Sequence, residues 1–103
     1  MIMDPKIVRL LNQLEEYNPE KVILFGSQAK NTSDSYSDID LIIIKNTRKL
    51  FLDRIKDVLG IIKPNFAIDI LVYTPGEFRK MVSEGNPFLE HVLKEGKVIY
   101  EKS

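Results

Sequence analysis

Two aspartates stand two residues apart in Ser37-Asp38-Ile39-Asp40-Leu41, at the entrance to Ile39–Ile44, the most strongly β-prone run of the chain. Residues two apart on a strand share a face, so Asp38 and Asp40 are aimed to one side while Ile39 and Leu41 enter the other. Two carboxylates held together repel each other, and placing that charge at the mouth of an apolar strand is costly without compensation. A divalent cation supplies it. All-oxygen ligation suits Mg²⁺ or Mn²⁺, which keep several waters and complete their shell with substrate phosphates. Taken alone, an Asp-x-Asp at a strand entrance can also be a solvated loop edge.

Two further features favour the metal. Asp69 is the one acid in Ala67-Ile68-Asp69-Ile70-Leu71, a run that reads as a fully buried strand. An unpaired carboxylate there would be heavily penalised, so Asp69 is expected to complete the metal site from a neighbouring strand. Upstream, Phe25-Gly26-Ser27 leaves a strand into a turn and a short helix. Glycine lets backbone approach a phosphate closely, and the N–H groups and serine hydroxyl can bond to it.

The elements that must carry these residues are legible. Asp4-Pro5 caps a helix over about Pro5 to Tyr17, with Ile7, Leu11 and Leu14 at helical spacing and Val8 and Leu10 widening the stripe. Asn18-Pro19 ends it, and Lys21–Phe25 reads as a short buried strand. Asn31 to Ser37 has loop composition, and Ile39–Ile44 is the second strand. Leu50 to Ile62 carries a helical stripe of Phe51, Ile55, Val58, Leu59 and Ile62, closed by Lys63-Pro64-Asn65 before a third strand, Phe66–Tyr73.

Thr74-Pro75-Gly76-Glu77 has the form of a capping box and starts a short helix through Phe78, Met81 and Val82 that Gly85 ends. Asn86-Pro87 starts another, with Phe88, Leu89, Val92 and Leu93 facing the core, and Gly96 stops it before a last strand, Lys97–Glu101. The expected fold is α/β (α+β), a single small mixed sheet flanked by helices in at most three layers, with residues 1–103 as one domain.

With these residues in place, Gly26-Ser27-Gln28-Ala29, then Asp38-Ile39-Asp40, then Asp69 in a later strand resembles the nucleotidyltransferase superfamily of DNA polymerase β and the aminoglycoside nucleotidyltransferases. The length resembles its smallest branch, the minimal nucleotidyltransferases of the MNT antitoxin type. The resemblance implies that Asp38 and Asp40 hold two metal ions. It implies that Asp69 binds the catalytic metal and helps take the acceptor proton, and that Gly26 and Ser27 hold the triphosphate.

Many relatives carry a basic residue at the position of Gln28 and a second glycine at that of Asn31. Asparagine tolerates the left-handed conformation, and Lys30 is the nearby cation that could serve the triphosphate instead.

The resemblance also implies ATP as donor and a hydroxyl acceptor on another molecule, since 103 residues leave nothing to build an acceptor domain. Minimal nucleotidyltransferases are often paired with a HEPN-domain toxin, whose tyrosine they adenylylate as antitoxin. Two other readings stay open: nucleotidylation of a small alcohol such as an aminoglycoside, and a non-catalytic nucleotide-binding subunit that neutralises its partner by covering it.

Bulk properties narrow the classes. Fifteen basic and fifteen acidic residues cancel, giving no general attraction to nucleic acid. There is no cysteine, so no disulfide framework or thiolate zinc site is available. The longest apolar run, Leu41–Ile44, is far short of the ~20 residues that span a bilayer. A cytoplasmic protein without membrane contact is expected. His91 is expected at the surface, Tyr36 could stack on a nucleobase, and Arg48-Lys49 and Arg79-Lys80 read as solvated helix faces.

Overall fold

A computed structural model describes residues 4–26 and 39–102. Helix α1 (Pro5–Leu14) starts where expected: the Asp4 carboxylate accepts a 2.8 Å hydrogen bond from the Lys6 N–H, with Pro5 in the first turn. Its buried positions are Ile7, Leu10 and Leu14, a narrower stripe than predicted, since Val8 is exposed. A 3₁₀ turn, Glu15–Tyr17, continues it to Asn18, whose left-handed backbone (φ 56°) ends the helix. Asparagine tolerates that conformation better than most residues.

Strand β1 (Lys21–Phe25) pairs antiparallel with β2 (Ile39–Ile44). Helix α2 (Phe51–Ile62) crosses over to β3 (Ile68–Tyr73), which lies parallel to β2. Helices α3 (Pro75–Ser83) and α4 (Pro87–Glu95) return the chain to β4 (Lys97–Glu101), antiparallel to β1. The order β3-β2-β1-β4 makes a mixed four-stranded sheet, as expected.

Alternation along the strands divides the core in two. Val22, Leu24, Ile39, Leu41, Ile43, Ile70 and Val72 pack with Ile7, Leu10 and Leu14 of α1 and Val58 and Ile62 of α2. Ile23, Ile42 and Ile44 pack on the other face with Leu89 and Val92 of α4, backed by Phe78 and Met81 of α3. The sheet is therefore the middle of three layers. Strand β2 lies between β1 and β3 and is buried everywhere except at half-buried Asp40.

Four further expectations are corrected. Phe66 and Ala67 precede β3. Leu50 is the residue before α2 and exposed, and Arg48-Lys49 lie ahead of the helix, exposed but not on it. Phe88 and Leu93 are exposed because α4 turns only Leu89 and Val92 fully inward. Strand β3 is an edge strand with an alternating pattern, not a strand buried throughout.

Candidate functional site

Asp40 is the second residue of β2, on the same side of the strand as Ile42 and Ile44, the side covered by α3 and α4. Asp69 is the second residue of β3, on the side of Leu71 and Tyr73, which pack into that same layer. The register sets Asp40 directly opposite Asp69. Neighbouring strands run about 4.8 Å apart, so one face at one end of the sheet carries two adjacent carboxylates.

Asp69 is exposed, which corrects the expectation of a buried acid. At an edge strand water reaches the carboxylate, so the penalty of burying an unpaired charge does not explain its presence. The cross-strand register does, because it brings the acid to Asp40.

Gly26 follows β1, whose last residue, Phe25, is paired with Asp40. Its backbone is left-handed at φ +76°, and a Cβ built there would collide with Asp40 Oδ2. Both facts require glycine. The turn after β1 thus lies against the Asp40 carboxylate, joining the expected phosphate loop to the expected metal ligand. Phe25 also meets Phe88 of α4 edge-on, with centroids 5.7 Å apart, giving this end of the sheet an apolar support.

Asp38, Ser27 and Lys30 lie outside the described residues, as do Gln28, Asn31 and Tyr36. Among the described residues no three acidic or histidine side chains gather as a metal site. The two acids that are described nonetheless fit one: they offer only hard oxygen donors, meet in register, and are approached by a glycine turn. His91 is exposed, as expected.

Reading the sequence missed one residue that anchors the opposite, C-terminal end of β3. Arg54 of α2 is 7% exposed. Its Nη1 donates to Val72 O at 3.1 Å and to Glu77 Oε1 at 2.7 Å, its Nη2 to Glu77 Oε2 at 3.2 Å, and its Nε to Lys49 O at 2.8 Å. Glu77 is at once the third residue of the Thr74 capping box, accepting from the Thr74 N–H at 2.8 Å. One guanidinium therefore ties α2, β3 and α3 together. The signal was available: Arg54 precedes Val58 and Ile62 at four-residue spacing, on the buried stripe of α2.

The charges agree with this arrangement. The Arg54 hydrogen bond and, next, the Thr74 backbone hold the Glu77 carboxyl below its ordinary value, and the Glu77 hydrogen bond raises Arg54. A hollow of about 490 Å³ lined by Lys21, Ile44, Phe78, Arg79 and Glu101 opens at the far end of the sheet from Asp40. It has no part in this site. No helix among the described residues is long and apolar enough to cross a membrane.

Known proteins share this plan. A candidate nucleotidyltransferase from Sulfolobus solfataricus superposes with a TM-score of 0.62 at 23% identity, over 94% of this chain and 84% of that one. A toxin–antitoxin assembly solved with AMP-PNP contains a chain matching with a TM-score of 0.63 at 16% identity, over 97% and 76%. At such identities these likenesses concern the fold. A Methanocaldococcus jannaschii protein named as a candidate protein adenylyltransferase is 33% identical over 87 residues, which are 79% of this chain and 58% of that protein. This chain thus matches little more than half the length of that relative. Residues 6–103 match the family model described as polymerase beta, nucleotidyltransferase. The chain belongs to the polymerase-β-type nucleotidyltransferase family.

Proposed function

We propose that this protein transfers AMP from ATP to a hydroxyl of a partner protein, a tyrosine of a HEPN-domain toxin, and acts as the antitoxin of that pair. The observation that carries the reading is the pairing of Asp40 with Asp69 under the Gly26 turn. Family membership, a relative named for protein adenylylation and a structural neighbour from a toxin–antitoxin assembly with AMP-PNP support the donor, the acceptor class and the setting.

In this reading Asp38, Asp40 and Asp69 hold Mg²⁺, with Mn²⁺ as an alternative ion. When bound, the metal neutralises the triphosphate and the charge that builds on the leaving pyrophosphate. The chain's own residues do the rest. Gly26 and Ser27 offer backbone N–H groups and a hydroxyl to the phosphate tail, and Lys30 adds charge beside it.

Asp69, on the open edge of the sheet, accepts the proton of the incoming hydroxyl. The acceptor oxygen forms its bond to the α-phosphorus as the bond to pyrophosphate breaks. No covalent enzyme intermediate is required, and positioning supplies much of the rate.

The test uses ATP labelled at the α- or the γ-phosphate, incubated with Mg²⁺, the protein and its co-expressed toxin. Label entering the toxin from the α position alone supports the proposal. Label from the γ position, or transfer to an aminoglycoside with none to protein, contradicts it.

A further inference from the structure

Among the described residues, the outer edge of β3 sets a catalytic-type carboxylate, Asp69, beside backbone that no described strand pairs. Ala67 O accepts from the Ile39 N–H and Tyr73 O from the Lys45 N–H, so odd-numbered residues of this stretch turn their peptide groups toward β2. Ile68, Ile70 and Val72 therefore turn theirs outward, away from the sheet. The Val72 carbonyl is already occupied by Arg54. No other described strand lies beyond β3, which leaves the outward groups of Ile68 and Ile70 for a partner.

Resting on the function proposed above, we infer that the acceptor is an extended peptide segment that adds to β3 as an antiparallel strand. Its hydroxyl-bearing residue lies opposite Asp69. The residues on either side each exchange two hydrogen bonds with Ile68 and Ile70, and Asp69 forms the intervening non-hydrogen-bonded pair. In such pairs the Cα atoms come within about 4.5 Å and the side chains share a face. That face is the one carrying Asp40 and Asp69. Because Arg54 takes the Val72 carbonyl, pairing is confined to the half of β3 beside the carboxylates, which sets the register of the acceptor.

This reading explains two features together. Asp69 is exposed because an acceptor must reach it, and Arg54 is buried at the point where strand addition has to stop. The substrate class is any segment able to lie extended for three residues around its hydroxyl, recognised through main chain more than through side chains.

The probes are the blocked pentapeptide Thr-Val-Tyr-Val-Thr, the same peptide N-methylated at both valines, and N-acetyltyrosine amide. Transfer from α-labelled ATP with Mg²⁺ should favour the pentapeptide over the amide by roughly tenfold or more, and N-methylation should erase that advantage. Ile68→Pro removes an outward N–H without touching the β2 ladder. It should reduce pentapeptide use about fivefold and narrow the advantage of the pentapeptide over the amide. In the ¹⁵N-labelled protein with Mg²⁺ and AMP-PNP, the pentapeptide should slow amide exchange at Ile68 and Ile70, a readout independent of turnover.

Equal use of pentapeptide, methylated peptide and amide, with no protection at Ile68 or Ile70, overturns the inference while leaving nucleotidyl transfer standing. Failure of transfer to all three, with no protection, while α-label still enters the toxin, overturns the inference alone; absence of label in the toxin as well overturns both.

Discussion

Gly26 and Asp40 occupy space that excludes a side chain at residue 26: a Cβ there would overlap the Asp40 carboxylate, and the backbone is left-handed. Gly26→Ala is expected to lose about 1–2 kcal/mol of stability from the backbone alone. Displacing Asp40 should lower transfer by on the order of a hundredfold, as misplacement of about 1 Å does elsewhere. Gly60, inside α2 with nothing within 4 Å of a built Cβ, is the control. Gly60→Ala should stabilise by ~0.5–1 kcal/mol and leave transfer unchanged. Urea titrations and transfer assays on both variants separate the effects.

Arg54 is predicted to hold β3 in place without touching substrate. Arg54→Met leaves the Val72 and Lys49 carbonyls without their Arg54 donor and the Glu77 carboxylate with only the Thr74 N–H, and should cost about 2–4 kcal/mol. Glu77 is 45% exposed at its side chain, so Glu77→Gln should cost less, about 1 kcal/mol. A double-mutant cycle in urea should return a favourable coupling between the two; additive losses would contradict a shared clamp.

The same pair sets a pH dependence. Glu77 titrates below its ordinary value in the folded protein, first because of Arg54 and then of the Thr74 backbone. The unfolded chain therefore binds the proton first as pH falls. The stability it contributes is full above the ordinary glutamate value and is lost as pH drops through the lowered one. Arg54 stays charged throughout. Urea midpoints taken downward from neutral pH should fall more steeply in that acid window for the wild type than for Glu77→Gln, and parallel profiles would contradict the assignment.

Asp69 is exposed, so its repulsion with Asp40 is screened. Without metal, Asp69→Asn is expected to change stability by no more than about 1 kcal/mol. With Mg²⁺ and AMP-PNP the wild type should gain more melting temperature than the variant, because only the intact pair binds the ion well. Equal shifts would argue against a shared metal site.

The elements were legible because their punctuation is local. Asp4-Pro5, Thr74-Pro75 and Asn86-Pro87 each cap the helix they announce, and the Thr74–Glu77 box forms as read. The burial of single residues was less legible. Phe88 and Leu93 have apolar side chains at helical spacing, yet only tertiary packing decides that Leu89 and Val92 take the inward positions.

Asp69 was found for a reason that does not hold, its burial, and stands beside Asp40 for one the sequence does not display, the β2–β3 register. Arg54 escaped because a charged residue on an apolar stripe reads as an interruption until its partners, Glu77 and the Val72 carbonyl, are seen. Asp38, Ser27 and Lys30 rest on the sequence, being outside the described residues.

The most direct test of the central claim compares the wild type with Asp40→Asn and Asp69→Asn in Mg²⁺, following α-labelled ATP into the partner protein and confirming that each variant is folded. Transfer by the wild type, reduced at least about a hundredfold in both folded variants, is the result expected if the paired carboxylates carry the chemistry. Undiminished transfer by either folded variant would contradict it.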